Sequence, residues 1–275
     1  MKRTVSLFLS LILLVTCALA AVPALAEASD AAVAAYLQEL NAAPGKSLDE
    51  ARFMLDALLA FEGTLPDEAV SGFMTFLARI VDALCDEYWD DEAFADALGD
   101  NDLVSTRHGE GGIGYGTNFG AARAAFGGRL SEAYEMYLEL AEKHFASYMV
   151  DDMALLTSWD GLAQFIIDWS AFRISYPRFI EIGAVDSDIE FGVYLYAGCF
   201  NLDNTPVIYN NALSEDVRAS YEWFLNAPGS GDVLYYDDIA ELYEVWKANG
   251  FKYTKAVQKC IKDIEIKLYG MEGEG

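Results

Sequence analysis

Along nearly its whole length the chain sets apolar residues at helical spacing between short polar breaks. Val33, Tyr36, Leu37 and Leu40 fall at i, i+3, i+4 and i+7, one face of a helix that Ser29 or Asp30 can cap. Ser47 and Glu50 have the spacing of a capping box, and Ala51, Leu55, Leu58 and Leu59 form the buried stripe behind it. Pro66 stands in the first turn of a third helix carried by Val70, Phe73, Leu77, Ile80, Val81 and Leu84. After Ser131, helical spacing returns through Tyr134, Tyr137, Leu138, Ala141, Phe145 and Tyr148. Leu162, Phe165, Ile166, Trp169 and Phe172 predict a helix that stops before Pro177, because the residue preceding a proline avoids helical geometry. Three more stripes follow: Val217, Tyr221 and Phe224; then Ile239, Leu242, Tyr243 and Trp246, ended by Asn249-Gly250; then Val257, Ile261, Ile264 and Leu268. The fold class is therefore all-α, a multi-helix globular array.

Two segments interrupt the pattern. The glycine-rich run 109–128 is expected to be loop with a short helix near 121–126, since glycine raises the cost of ordering backbone. In 189–209, Val193-Tyr194-Leu195-Tyr196 favours a strand while its flanking glycines weaken either assignment. It reads as helix then loop, with one small β-hairpin as the alternative. Asn201-Leu202-Asp203-Asn204-Thr205-Pro206 has turn chemistry throughout.

The first 26 residues have a different organisation. Lys2 and Arg3 precede an apolar run, and Ala24-Leu25-Ala26 supplies small residues for cleavage, the order of a secretory signal peptide. Lipidation at Cys17 is the minority reading, because Thr16 is a poor residue before a lipid-bearing cysteine. What remains, 27–275, is expected to be a single acidic helical domain, secreted to the extracellular space or cell envelope.

Charge narrows the choice of partners. With 18 basic and 44 acidic residues, the chain repels phosphate and anionic headgroups, so neither nucleic acid nor a membrane beyond the signal peptide is expected as a partner. The basic residues Lys247, Lys252, Lys255, Lys259, Lys262 and Lys267 concentrate at the end, where they can face acids of the same domain. Cys85, Cys199 and Cys260 are too few and too scattered for a disulfide scaffold or a zinc site, and read as small buried hydrophobes.

Candidate chemistry comes from short motifs. Arg107-His108-Gly109-Glu110 resembles the signature of histidine phosphatases, in which the histidine takes a phosphoryl group and the arginine binds its oxygens. The resemblance covers four residues, and the second histidine that the family needs has no counterpart, because His144 falls on a predicted helix. Gly109, Gly111 and Gly114 match a dinucleotide-binding spacing without the strand and βαβ unit that give it meaning. Asp237-Asp238 with Glu241 resembles the metal motif of terpene synthases, without the second motif of that family; helix capping by Asp238 with Glu241 accounts for the same residues.

Asp186, Asp188 and Glu190 alternate as EF-hand ligands do, but Gly192 falls one place late and Ala197 stands where the bidentate glutamate belongs. A calcium site of another kind stays open, with Asp203 and Asn204 as its loop ligands. No other cofactor is expected. For hydrolysis of sugars the pair of choice is Asp160 with Asp168, flanked by Trp159 and Trp169. Taken together, the residues favour non-enzymatic binding of an extracellular protein or small ligand, with His108, Glu110, Asp203 and Asn204 as loop candidates for the site. The alternative is an extracellular hydrolase acting on carbohydrate or peptidoglycan.

Overall fold

The computed structural model describes residues 30–99, 102–109, 112–146, 149–151 and 153–270. The segment 1–26, read as a signal peptide and containing Cys17, lies outside the described residues, as do Ser29 and Glu110. The fold is an all-α multi-helix array carrying small two-stranded hairpins.

Helix α1 covers 30–42, followed by α2 (Leu48–Leu59) and α3 (Asp67–Tyr88). Ser47 Oγ accepts the Glu50 N–H at 3.3 Å, while Glu50 Oε2 accepts the Lys46 N–H at 2.7 Å, one residue before the partner of an ideal capping box. A short α4 (Glu92–Ala97) then leads into strands β1 (Val104–Gly109) and β2 (Gly112–Thr117). Helices α5 (Phe119–Ala125) and α6 (Glu132–Phe145) come next. Arg129, between them, donates to the carbonyls of Leu59, Phe61 and Gly63 and so ties the α2–α3 loop to the entry of α6.

Hairpin β3 (Val150–Asp151) and β4 (Ala154–Leu155) precedes α7 (Trp159–Ser175) and α8 (Ile182–Tyr196). A second short hairpin, β5 (Ile208–Tyr209) and β6 (Ala212–Leu213), precedes α9 (Glu215–Phe224). Helices α10 (Tyr236–Ala248) and α11 (Lys255–Tyr269) complete the chain.

Helix α7 is the centre. Trp159, Leu162, Phe165, Ile166, Trp169 and Phe172 bury most of its circumference, and α6, α8 and α9 all pack on it. Gly192 lets α8 approach closely, since a Cβ there would stand 3.1 Å from the Ile166 side chain and the Phe165 ring. One buried cluster runs from Tyr36 to Leu268.

Two expectations need correction, and the reading of 189–209 as helix then loop holds. Val104–Gly109 and Gly112–Thr117 pair as antiparallel strands in place of the loop expected from Gly109 onward, with Arg107 opposite Gly114 and His108 opposite Ile113. The cause is alternation: Ile113, Tyr115 and Thr117 share one face of β2, and Gly112, Gly114 and Gly116 share the other. The glycine face leaves room for the Arg107 side chain, with which a Cβ at Gly116 would collide. Val193-Tyr194-Leu195-Tyr196 is helical because it packs on α7, and the nearby hairpin begins only at Ile208. Its turn is Asn210-Asn211, both at positive φ, the geometry of a two-residue hairpin loop. Asp238 does not cap α10: its carboxylate takes Lys267 Nζ at 2.5 Å, which sets the basic last helix against an acidic first turn.

Cys85, Cys199 and Cys260 are half-buried free thiols, and burial pushes Cys199 up to about 12 and Cys260 to about 11. No helix among the described residues is long and apolar enough to cross a membrane.

Candidate functional site

Helices α7 and α9 begin side by side around one open cleft. Ser158 caps α7, its Oγ accepting the Gly161 N–H at 3.0 Å. Ser214 stands at the same position of α9, but its hydroxyl is buried without a hydrogen-bond partner. The loop after α8 is drawn in by three bonds: Leu155 N–H to Thr205 Oγ1 at 2.7 Å, Asn204 N–H to Met153 O at 3.1 Å and Ile208 N–H to Asn201 Oδ1 at 2.9 Å. Leu213 N–H to Phe251 O and Tyr253 N–H to Asn211 O, both 2.9 Å, pin the β5–β6 hairpin on the far side.

Two joined depressions of about 390 and 580 Å³ result, and both are lined by Trp159, Thr205 and Asp216. The first adds Asp160 and Ala219; the second adds Asn204, Tyr209 and Glu215. Behind Trp159 the floor is stiff. The Tyr196 ring lies 6.4 Å away, its hydroxyl bonds Ser220 Oγ at 2.9 Å, and Tyr221 donates to Tyr196 O at 2.6 Å. Burial, reinforced by Asp160, pushes the Tyr196 phenol well above its usual range, so it stays neutral. Asp160, Glu215 and Asp216 sit in the first turns of α7 and α9, where the positive helix ends offset part of their charge.

The structure distributes the sequence candidates unevenly. Asn204 lines the cleft and Asp203 is exposed beside it in sequence. His108 is exposed on β1, in a hairpin that packs on α3, and Glu110 lies outside the described residues. The phosphatase-like string therefore belongs to an antiparallel hairpin, with the Arg107 guanidinium donating to Phe145 O at 2.8 Å.

The sugar-hydrolase pair also separates. Asp160 lines the cleft, whereas Asp168 borders a different depression with Met136 and Leu140, and Trp169 is fully buried. Asp160 instead shares its cleft with Asp216. Spacing along one helix cannot reveal Asp216, because it lies 56 positions downstream of Asp160. The signal was present in two serines at helix-start spacing, each with acid in the next two positions: Ser158-Trp159-Asp160 and Ser214-Glu215-Asp216.

Asp186, Asp188 and Glu190 lie on α8, not in a loop. Among the described residues, no three His, Cys, Asp or Glu side chains form a metal-holding group.

Asp168 anchors a polar cluster outside the cleft. Its Oδ2 meets Lys143 Nζ at 2.5 Å and His144 Nε2 at 2.8 Å, and its Oδ1 accepts from Gln164 at 2.8 Å. Burial works to raise this carboxyl, but the His144, Lys143 and Gln164 bonds outweigh it and hold it down at about 2. The folded state thus binds this proton less readily than the unfolded chain does. The cluster's contribution is complete above about pH 4 and is lost as the pH falls towards 2. Asp168→Asn is expected to cost about 1–2 kcal/mol at pH 7, solvent screening included, and progressively less below pH 4. Urea melts of both proteins from pH 7 to pH 2.5 check this; a difference that does not shrink in acid would contradict it.

Compared with known proteins, this chain matches no family model, no curated protein and no solved structure.

Proposed function

We propose that this chain is an exported, non-enzymatic binding domain and that it takes a small polar ligand in the cleft between the starts of α7 and α9. The observation that carries the proposal is the meeting of Trp159, Tyr209, Asn204, Thr205 and Asp216 around one concave space. An aromatic surface with a few convergent polar groups is the usual composition of a small-ligand site. Both histidines lie elsewhere, His108 on β1 and His144 bonded to Asp168, so the cleft's polar groups suit holding a ligand more than nucleophilic attack.

Hydrolysis is the second reading, and what favours it is that Asp160 and Asp216 line the same depression.

The five tryptophans provide the test. In protein labelled with ¹⁵N at tryptophan, a panel of neutral sugars, amino acids and polyamines is expected to contain a class that shifts the Trp159 indole signal. Trp246, on the buried face of α10, should stay in place. Asp216→Ala is expected to weaken that response about tenfold or more, the cost of losing a charge-assisted hydrogen bond or two. A panel that moves only tryptophans outside the cleft would overturn the assignment. Turnover of a bound sugar, abolished by Asp160→Asn, would favour hydrolysis instead.

A further inference from the structure

The cleft does not end at Asp216. On α9, Asp216, Ala219 and Trp223 stand at i, i+3 and i+7, one stripe of the helix, and the first two line the cleft. Trp223 is 39% exposed at the far end of that stripe, and Tyr209 is 62% exposed at the opposite end of the cleft. Both expose large flat rings that the core does not use. From Asp216 to Trp223 the helix rises about 10 Å, roughly the length of two sugar units. The side chain between them is Ala219, too small to interrupt a flat ligand.

From this arrangement, and resting on the cleft as the binding site, we infer that the ligand is an uncharged oligosaccharide lying along the groove from Tyr209 past Trp159 to Trp223. The chemistry fits in three ways. Sugar rings present C–H faces that pack on indole and phenol rings, while their hydroxyls need acceptors, and exposed Trp and Tyr serve surfaces where one side is apolar and the other wet. Asp160 and Asp216 can each accept from a pair of neighbouring hydroxyls, and Asn204 and Thr205 add groups that both donate and accept. With Asp160, Glu215 and Asp216 at its rim, the groove disfavours uronates and other anionic sugars. Polyamines fit less well, because these carboxylates are exposed, are screened by salt and already face positive helix ends.

The experiment titrates the tryptophan-labelled chain with tetrasaccharides of glucose, N-acetylglucosamine, xylose and mannose, with a galacturonate tetrasaccharide and spermidine as charged controls. At least one neutral tetrasaccharide is expected to shift the Trp159 and Trp223 indole signals together. Trp223→Ala should lower its affinity about tenfold. Trp89→Ala, which removes a still more exposed indole from the end of α3, should leave affinity unchanged. Both side chains are exposed, and thermal melts confirm that the variants fold. If the neutral sugars leave Trp159 unmoved while spermidine or galacturonate shifts it, the carbohydrate inference is overturned and the cleft assignment stands. If no probe moves Trp159, both are overturned.

Discussion

Replacing Trp169 by alanine is expected to lower the stability of the protein by about 3–5 kcal/mol, the range for deleting a large buried aromatic side chain. The indole is fully buried on α7. Around it stand Tyr137 at 5.5 Å, Phe145 at 5.8 Å, Phe172 at 5.9 Å and Phe165 at 6.2 Å between ring centroids. Trp169 thus touches two rings of α6 and two of α7, rings that also meet one another directly, and alanine would leave a void in the middle of them. The Trp169 Nε1–H is buried without a hydrogen-bond partner, a desolvation cost of about 1–3 kcal/mol that the tryptophan carries. Trp169→Phe sheds that cost while keeping a ring, so it should recover more than half of what alanine loses. Urea denaturation with an unchanged m-value would measure both differences. An alanine variant within about 1 kcal/mol of the parent would show that α7 is not the centre of the core.

The helical array was legible because its cause is local. Apolar residues at i, i+3, i+4 and i+7, together with Ser47, Ser131 and the Asn249-Gly250 stop, state where a helix begins, which face it buries and where it ends. The β1–β2 hairpin was hidden by its glycines. They read as breakers, yet the same alternation that puts Gly112, Gly114 and Gly116 on one face puts Tyr115 on the other, where it is buried and donates to Tyr88 O and Asp91 O. The Arg107 side chain explains the glycine at 116, and a positive φ together with the close approach of Asp90 explains the one at 112; neither contact is visible along the sequence.

The site was less legible for a related reason. Asn204 was chosen for its turn chemistry and does line the cleft. A neighbouring tryptophan makes Asp160 a candidate, but Asp168 does not share its cleft, since it lies eight residues along the same helix, about 12 Å up its axis. Its actual companion, Asp216, arrives through the packing of α9 on α7. His108 drew attention through a four-residue resemblance, and the antiparallel hairpin around it gives that string none of the surroundings its chemistry requires. Motifs report local chemistry; a cleft assembled from two helix starts and two hairpins is written in no single stretch.

Asp188 should show the reverse of the Asp168 behaviour. It lies on α8, and burial alone pushes its carboxyl up to about 6; among the described residues it has no ion pair or hydrogen-bond donor. The groups near it offer no relief. Asp188 and Glu181 both add to the burial that raises the Tyr137 phenol, and Glu181 already accepts from Ser71 and from Tyr134 at 3.3 Å. Because folding raises this pKa, the native state binds more protons than the unfolded chain between about pH 4 and pH 6, and its stability falls as the pH rises through that window. Asp188→Asn removes the ionisation without changing the shape of the side chain. The variant is expected to be more stable than the parent by about 2–3 kcal/mol at pH 7, about 1.4 kcal/mol for each unit by which the pKa is raised. The difference should close by pH 4. Asp186→Asn, two residues away, removes the carboxylate that accepts from Arg173 Nε at 2.6 Å, and should give no such gain at pH 7. Urea melts from pH 4 to pH 8 separate the cases, and a gain from Asp188→Asn that persists unchanged at pH 4 would assign it to packing rather than charge. With Asp168 losing its contribution below about pH 4 and Asp188 costing most above about pH 6, the contributions of these two aspartates are together most favourable on the acid side of neutrality.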